Sequence, residues 1–276
     1  MTATALSQLK STIVLAGAGK MGGAMLTGWL ARGLDPKRVV VIEPHLSDDM
    51  RNVNFAAKGV RLNPAAKDIG AVDVLVVAVK PQMFREAGPQ FKSLVGARTL
   101  VVSIMAGTTL ASLKDVCGGV AVRAMPNTPA AIGRGITVAV AGAGVEKPQR
   151  DIADALLRAT GSVEWIDDEK LMDAVTAVSG SGPAYIFLLA EELARAGVAA
   201  GLPEALATRL ARETVSGSGE LLLQSDLPSG KLRENVTSPG GTTAAALGVL
   251  MGDGGFQSLL TRAVEAAAKR SKELSK

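Results

Sequence analysis

One cysteine and one histidine stand among 276 residues. With Cys117 alone, neither a disulfide framework nor a cysteine-rich zinc module can form within the chain. With His45 alone, any Ser–His–Asp or Cys–His machine would have to pass through that one ring, and the HExxH zinc motif is absent. Catalysis by a carboxylate-bound metal stays open, but no motif asks for it. Aromatic residues are scarce too: five Phe, two Trp and one Tyr. That is too few to interleave with basic residues in the way single-stranded nucleic acid requires, so no nucleic-acid partner is expected. The net charge of +4 is a small excess. Its densest stretch, Lys269-Arg270-Ser271-Lys272, reads as a solvated helix end whose cations suit the dipole. No apolar run approaches the ~18–20 residues of a membrane span. The opening M-T-A-T-A-L-S-Q-L-K lacks the charged-then-apolar pattern of a secretion signal. The expectation is a soluble, cytoplasmic protein with no membrane contact.

What is present is glycine, 31 residues of it, and a pattern that changes along the chain. From Thr12 to about Trp165, β-branched runs alternate with helix-like segments: Thr12–Ala16, Arg38–Ile42, Val74–Val79, Thr99–Ser103, Val120–Ala124 and Ile136–Ala141. Several are apolar on consecutive residues, as parallel strands covered on both faces are. Strand–helix–strand alternation argues an α/β fold with a Rossmann-like, doubly wound sheet. Beyond Trp165 come helical patterns: Asp168–Val178, Pro183–Ala200, Pro203–Gln224, Thr242–Met251 and Phe256–Lys272, each bounded by Gly, Pro, Ser or Thr. The expected domains are residues 1–165, dinucleotide-binding, and 166–276, all-α. The segment Pro183–Ala200 is apolar nearly all round in its first half. That suits burial in an oligomer better than a place on a monomer's surface, ordinary intradomain core being the alternative.

Residues 12–22 read T-I-V-L-A-G-A-G-K-M-G. A strand is followed by Gly17, Gly19 and Gly22 in G-x-G-x-x-G spacing, and a helix begins near Met21. Gly17 permits the tight turn, Gly19 lets the backbone approach a pyrophosphate, and Gly22 allows close helix–strand packing. Glu43 ends the second strand about 20 residues on and completes the fingerprint. A carboxylate there accepts from the adenosine ribose hydroxyls and repels a 2′-phosphate, so it leans towards NADH over NADPH. Arg38 and Arg51 lie near enough in sequence to reverse that lean if a loop folds back. The strand Val74–Val79 runs into Lys80-Pro81 at the crevice end of the sheet. Lys80 there is either a contact to the nicotinamide ribose or a surface cation.

Ser238-Pro239-Gly240-Gly241-Thr242-Thr243 precedes a helix. Two glycines flanked by hydroxyls make free N–H groups converge where the helix dipole favours negative charge, and a small carboxylate is the natural guest. The similar Ser179-Gly180-Ser181-Gly182-Pro183 reads more simply as a capped helix start with Pro183 in the first turn. Carbonyl reduction wants a positioned proton donor, and this chain is poor in them. Reduction of a C=N bond asks less, because the imine can take its proton from water. The cofactor then brings the hydride and the protein brings position and electrostatics. An imine reductase acting on a small amino-acid-like substrate fits. His45 reads as a loop residue, Tyr185 as a packed helix residue, and Cys117 as a small hydrophobe.

At these residues the chain closely resembles the pyrroline-5-carboxylate reductase family, which makes L-proline in the last biosynthetic step. The resemblance is carried by K-L-R-E-N-V-T-S-P-G-G-T-T-A-A-A-L (Lys231–Leu247), V-S-G-S-G-P-A-Y (Val178–Tyr185), A-V-K-P (Ala78–Pro81), R-A-M-P-N-T-P (Arg123–Pro129) and G-G-F-Q-S-L-L (Gly254–Leu260). It spans roughly Thr12 to Leu274. It implies hydride transfer from NADPH or NADH to C5 of Δ1-pyrroline-5-carboxylate. It implies a substrate carboxylate held around Ser238, Gly241, Thr242 and Thr243, with Thr243 in the catalytic role, bonded to the ring nitrogen. Glu169 falls at a substrate-side acidic position. The resemblance implies cofactor contacts at Gly17, Ala18, Gly19, Lys20, Met21, Gly22, Glu43, Ala78, Val79, Lys80, Pro81 and Asn235. It further implies a homodimer through interlocked C-terminal helices, with larger assemblies of dimers in some members. The chain departs from the family pattern at Glu43, where many members that use NADPH carry a small or hydroxylic residue, and at Met251, where a polar or acidic residue often stands. It departs also at Ala65, where an Asn is frequent, although Asn63 lies two residues away.

Overall fold

The computed structural model describes residues 5–45 and 55–274. By backbone proximity the chain forms two compact units, Met1–Gly180 with Ala268–Lys276, and Ser181–Ala267. Residues 166–180, read from the sequence as the start of the second domain, pack in the first unit.

The first unit is built on one eight-stranded sheet: β1 (Ile13–Ala16), β2 (Val39–Ile42), β3 (Arg61–Leu62), β4 (Val74–Val77), β5 (Leu100–Ser103), β6 (Val120–Met125), β7 (Gly135–Ala141) and β8 (Gly161–Ile166). The order is β3-β2-β1-β4-β5-β6-β7-β8. Neighbours are parallel except β6 and β7, which pair antiparallel. The first six strands thus follow the doubly wound dinucleotide-binding order, with the reversal between β1 and β4. Consecutive apolar residues are needed because both faces are covered. Ile13 and Leu15 enter one core with Met25 and Trp29 of helix α1 (Lys20–Ala31) and Leu156 of α4 (Lys147–Leu157). Val14 and Ala16 enter the other with Phe84 and Phe91 of α2 (Pro81–Leu94) and Leu113 of α3 (Leu110–Cys117). The buried Trp29 indole donates to the Leu156 carbonyl at 2.8 Å and ties α1 to α4.

Five of the expected strands start and end within a residue of their place, whereas β4 stops at Val77, two residues short of Val79. β8, which pairs β7 in parallel at the sheet's edge, and β3, only two residues long, are not among the expected strands.

The segment expected as one helix from Asp168 to Val178 is a composite: a 3₁₀ turn (Glu169–Leu171), a helical turn (Met172–Val175) and a π-turn (Thr176–Gly180). The second unit is helical. It holds α5 (Gly182–Ala199), α6 (Glu204–Gln224), α7 (Ser229–Asn235), α8 (Thr242–Leu250) and most of α9 (Phe256–Leu274), of which α7 was not expected. The end of α9 returns to the first unit, where buried Ser271 donates to Asp173 Oδ1 at 2.7 Å. Among the described residues no helix is long and apolar enough to cross a membrane.

Candidate active site

The carboxyl ends of β1 and β4 converge on the glycine-rich turn. Gly17 has φ +93°, a left-handed conformation open to glycine, and a Cβ there would meet the Ala78 carbonyl at 2.6 Å. A Cβ on Gly22 would overlap the Gly17 carbonyl oxygen. These two positions pack α1 against the β4 exit, so Gly17, Ala18, Gly22, Ala78 and Val79 are brought together. Gly19 is the exception that a ligand needs. It caps α1 without a side-chain bond, and its missing Cβ faces open space. The free N–H groups of the first turn of α1 therefore stay accessible to an anion. Lys20 and Met21 form that first turn, Lys20 exposed and Met21 half-buried. Lys80 is exposed at the head of α2, with Pro81 as its first residue. These residues fit a dinucleotide: a cradle for the pyrophosphate that any larger side chain would fill, and an acidic group beside it.

That group is Glu43, immediately after β2. Its Oε2 accepts from the Ala18 N–H at 3.0 Å and its Oε1 from the His45 N–H at 2.9 Å. The carboxylate is thus laid across the turn where the ribose of a dinucleotide belongs. The backbone of Glu43 is held by Asn63, which follows β3. The Glu43 N–H donates to Asn63 Oδ1 at 2.8 Å, and Asn63 Nδ2 donates to the Glu43 carbonyl at 2.9 Å. Ala65, the residue aligned with the family's frequent Asn, only opens the single turn Ala66–Asp68. Arg38 is exposed, and Arg51 lies outside the described residues.

Glu169 is engaged within the α/β unit. Its Oε1 accepts from Arg123 Nη1 at 2.9 Å and from the Leu110 N–H, the first of α3, at 2.8 Å. Arg123 sits on β6 with 5% of its side chain exposed. A buried guanidinium needs such a partner, and an open helix N-terminus welcomes the same negative charge. Arg123 opens the motif R-A-M-P-N-T-P, which gives it no role of its own; a charged residue inside a strand of apolar ones is the sign that it needs a partner. Cys117 ends α3 in the apolar core, where burial pushes its thiol from 9.0 up to about 11 and leaves it unreactive.

In the helical unit, Ser238–Thr243 forms the second cluster. The Gly241 N–H donates to the Ser238 carbonyl at 3.0 Å, closing a turn in which Gly240 takes φ +69°. Gly241 then caps α8 with no side-chain bond, and its missing Cβ is the space the Ser238 hydroxyl occupies. The first intrahelical bond runs from the Ala245 N–H to the Gly241 carbonyl at 3.2 Å. The Thr242, Thr243 and Ala244 N–H groups have no intrahelical acceptor and point out of the helix entrance. The Thr242 side chain is exposed, that of Thr243 half-buried. Asn235 is the exposed last residue of α7, upstream of the same turn. The predicted residues therefore fall in two places: the glycine-rich turn with Glu43 and Ala78–Pro81 in the first unit, where Glu169 also lies, and the Ser238–Thr243 turn with Asn235 in the second.

Comparison with known proteins identifies the family. Residues 169–274 match the family model for pyrroline-5-carboxylate reductase dimerisation, and residues 12–107 match that for NADP oxidoreductase, coenzyme F420-dependent. The pyrroline-5-carboxylate reductase of Glycine max is 39% identical over 96% of this chain and 96% of its own. The solved pyrroline-5-carboxylate reductase of Coxiella burnetii superposes with a TM-score of 0.88 at 36% identity, covering 97% of this chain and 100% of that one. The Plasmodium falciparum pyrroline carboxylate reductase, solved with NADP bound, gives 0.77 at 29% identity over 97% and 99%.

Proposed function

The chain belongs to the pyrroline-5-carboxylate reductase family, and on that footing we infer that it reduces the C=N bond of Δ1-pyrroline-5-carboxylate to give L-proline. It is a nicotinamide-dependent oxidoreductase, and its helical part is a dimerisation domain. The observation that carries the substrate assignment is the helix entrance at Gly241. It presents uncommitted N–H groups and two threonine hydroxyls to one small anion.

The bound cofactor supplies the hydride. The protein's part is placement. Gly17, Ala18 and Gly19 with the first turn of α1, Lys20 to Gly22, would hold its pyrophosphate, and Ala78–Pro81 would line the nicotinamide side. Asn235 would be a further cofactor contact. Ser238, Gly241 and Thr242 would hold the substrate carboxylate. Thr243 would bond the ring nitrogen, fixing the face of the imine that is reduced and stabilising the amine that forms. Glu169 has Oε1 committed to Arg123 and Leu110, which leaves Oε2 for the substrate side. We keep residues 1–165 as the cofactor part and 166–276 as the substrate and dimerisation part, a functional division supported by the span 169–274. Assembly of the dimers into larger oligomers and a cytoplasmic location belong to the same reading.

For the cofactor we propose NADH. Glu43 lies in bonding distance of the glycine-rich turn, where its charge opposes a 2′-phosphate. Initial rates with NADH and NADPH side by side test both proposals. Turnover with NADH ahead of NADPH is the expected result. The reverse order would dismiss the role of Glu43, and cofactor binding without turnover would dismiss the substrate. In the same assay Thr243→Ala should lower kcat about 30-fold, as loss of a transition-state hydrogen bond does, while cofactor affinity holds. Equal losses in both would remove Thr243 from the site.

A further inference from the structure

We infer that Asn63 is a positioning residue that sets cofactor choice by holding Glu43 over the ribose site; the inference rests on the NADH reading of Glu43. β3 ends early. That strand is two residues long, and the ladder between β2 and β3 stops at Val41↔Leu62. Beyond it, Glu43 would leave the sheet with its N–H and carbonyl unpaired on that side, and a loose backbone would let the carboxylate swing.

Asn63 prevents this. Among the described residues it is the non-glycine residue with positive φ, at 45°. Asparagine tolerates that conformation better than most side chains do, because its short amide can bond the local backbone. Its own N–H still donates to the Val41 carbonyl at 2.8 Å, so the chain stays registered on β2. The left-handed turn aims the amide back along β2, where its oxygen and nitrogen take both backbone groups of Glu43 at 2.8 and 2.9 Å. An aspartate could not make the second bond, having no donor.

With its backbone fixed, Glu43 spends one acceptor site on each oxygen among the described residues, towards Ala18 and His45. A carboxylate has about four such sites, so each oxygen keeps one. The two that remain match a vicinal diol, which is the adenosine ribose of a cofactor without a 2′-phosphate. A 2′-phosphate in the same place meets a carboxylate that cannot turn away. Asn63 thus serves discrimination through Glu43, without needing to touch the cofactor.

The test is steady-state kinetics with NADH and NADPH on the full-length enzyme and two variants. Asn63→Gly keeps the left-handed backbone and removes only the clamp, so its melting temperature should stay near that of the parent. Its KM for NADH should rise about tenfold, as the carboxylate loses its fixed place at the ribose site, with kcat and the substrate KM unchanged. The NADH-to-NADPH ratio of kcat/KM should fall by a similar factor. Glu43→Ser should shift that ratio in the same direction and further. If Glu43→Ser moves the ratio and Asn63→Gly does not, the clamp is overturned while the reading of Glu43 stands. If neither moves it, the reading of Glu43 has failed and takes the clamp with it. A uniform rise in both cofactor KM values with Asn63→Gly would mark a merely structural residue and also overturn the inference.

Discussion

In the α/β unit Leu15, Val76 and Val102 have no exposed surface, whereas in the helical unit Ile186, Phe187 and Leu188 stand in a row on α5 with Phe187 66% exposed. α5 has no buried residue at all, and on α6 only Ala207 and Ala211 are buried. One unit finds its apolar partners within its own chain, on both faces of a sheet. The other displays an apolar surface that a single chain does not cover, as an obligate interface does. The dimerisation match over 169–274 accounts for the difference. The two cradles follow the same division. The dinucleotide turn rests on a closed core, and the anion turn at Gly241 is carried by helices that a single chain leaves exposed, within the span of the dimerisation match. Cofactor binding should therefore depend on folding, and turnover on assembly.

Breaking the closed side should have the largest effect. Glu169→Ala leaves the Arg123 guanidinium buried without its partner and uncaps the start of α3. The cost should be about 3 kcal/mol, a drop in melting temperature of roughly 6–12 °C for a unit of this size. Differential scanning calorimetry checks it. An unchanged transition would mean that the pair contributes nothing to folding and would return Glu169 wholly to the substrate.

Breaking the open side should leave that transition alone. Phe187→Glu places a charge on the apolar face of α5 and should dissociate the dimer, raising its dissociation constant about 100-fold as loss of an aromatic anchor does. Sedimentation should show monomer, and specific activity should become dependent on enzyme concentration. NADH binding should persist. A dimer that survives would move the interface away from this face.

The comparison also sorts what was legible in the sequence. Buried parallel strands announce themselves, because double-sided burial demands runs such as Val74–Val77, and the turn glycines are visible because their spacing is imposed by backbone contact. β8 was missed because only Val163 of its six residues is buried, so Gly161–Ile166 shows one-sided burial at an edge. α7, S-G-K-L-R-E-N, has no apolar stripe and two poor helix formers. The anion cradle was legible as Gly-Gly before hydroxyls at a helix start. The Asn63 clamp and the Arg123–Glu169 pair were not, since each joins residues 20 and 46 positions apart through side chains. Such pairs follow from the folded sheet and have no local signature.

The smallest expected effect measures how well the closed side is sealed. Cys117 is 1% exposed at the end of α3, and its thiol is held up to about 11 from 9.0 by burial. Between those values the unfolded chain releases the proton and the folded chain keeps it, so stability must fall as pH rises. The loss should reach about 1.4 kcal/mol at pH 10, one pH unit above the unfolded value. Denaturant melts at pH 8 and pH 10 measure it as a difference from Cys117→Ala, which lacks the titrating group and should lose less over the same interval. Alkylating reagents at pH 8 should leave Cys117 unmodified. Rapid labelling at that pH, or identical pH slopes for the two proteins, would show that water enters between α3 and the sheet. The contrast between a sealed unit and an open one would then be weaker than the burial of Leu113 and Phe91 beside this thiol requires.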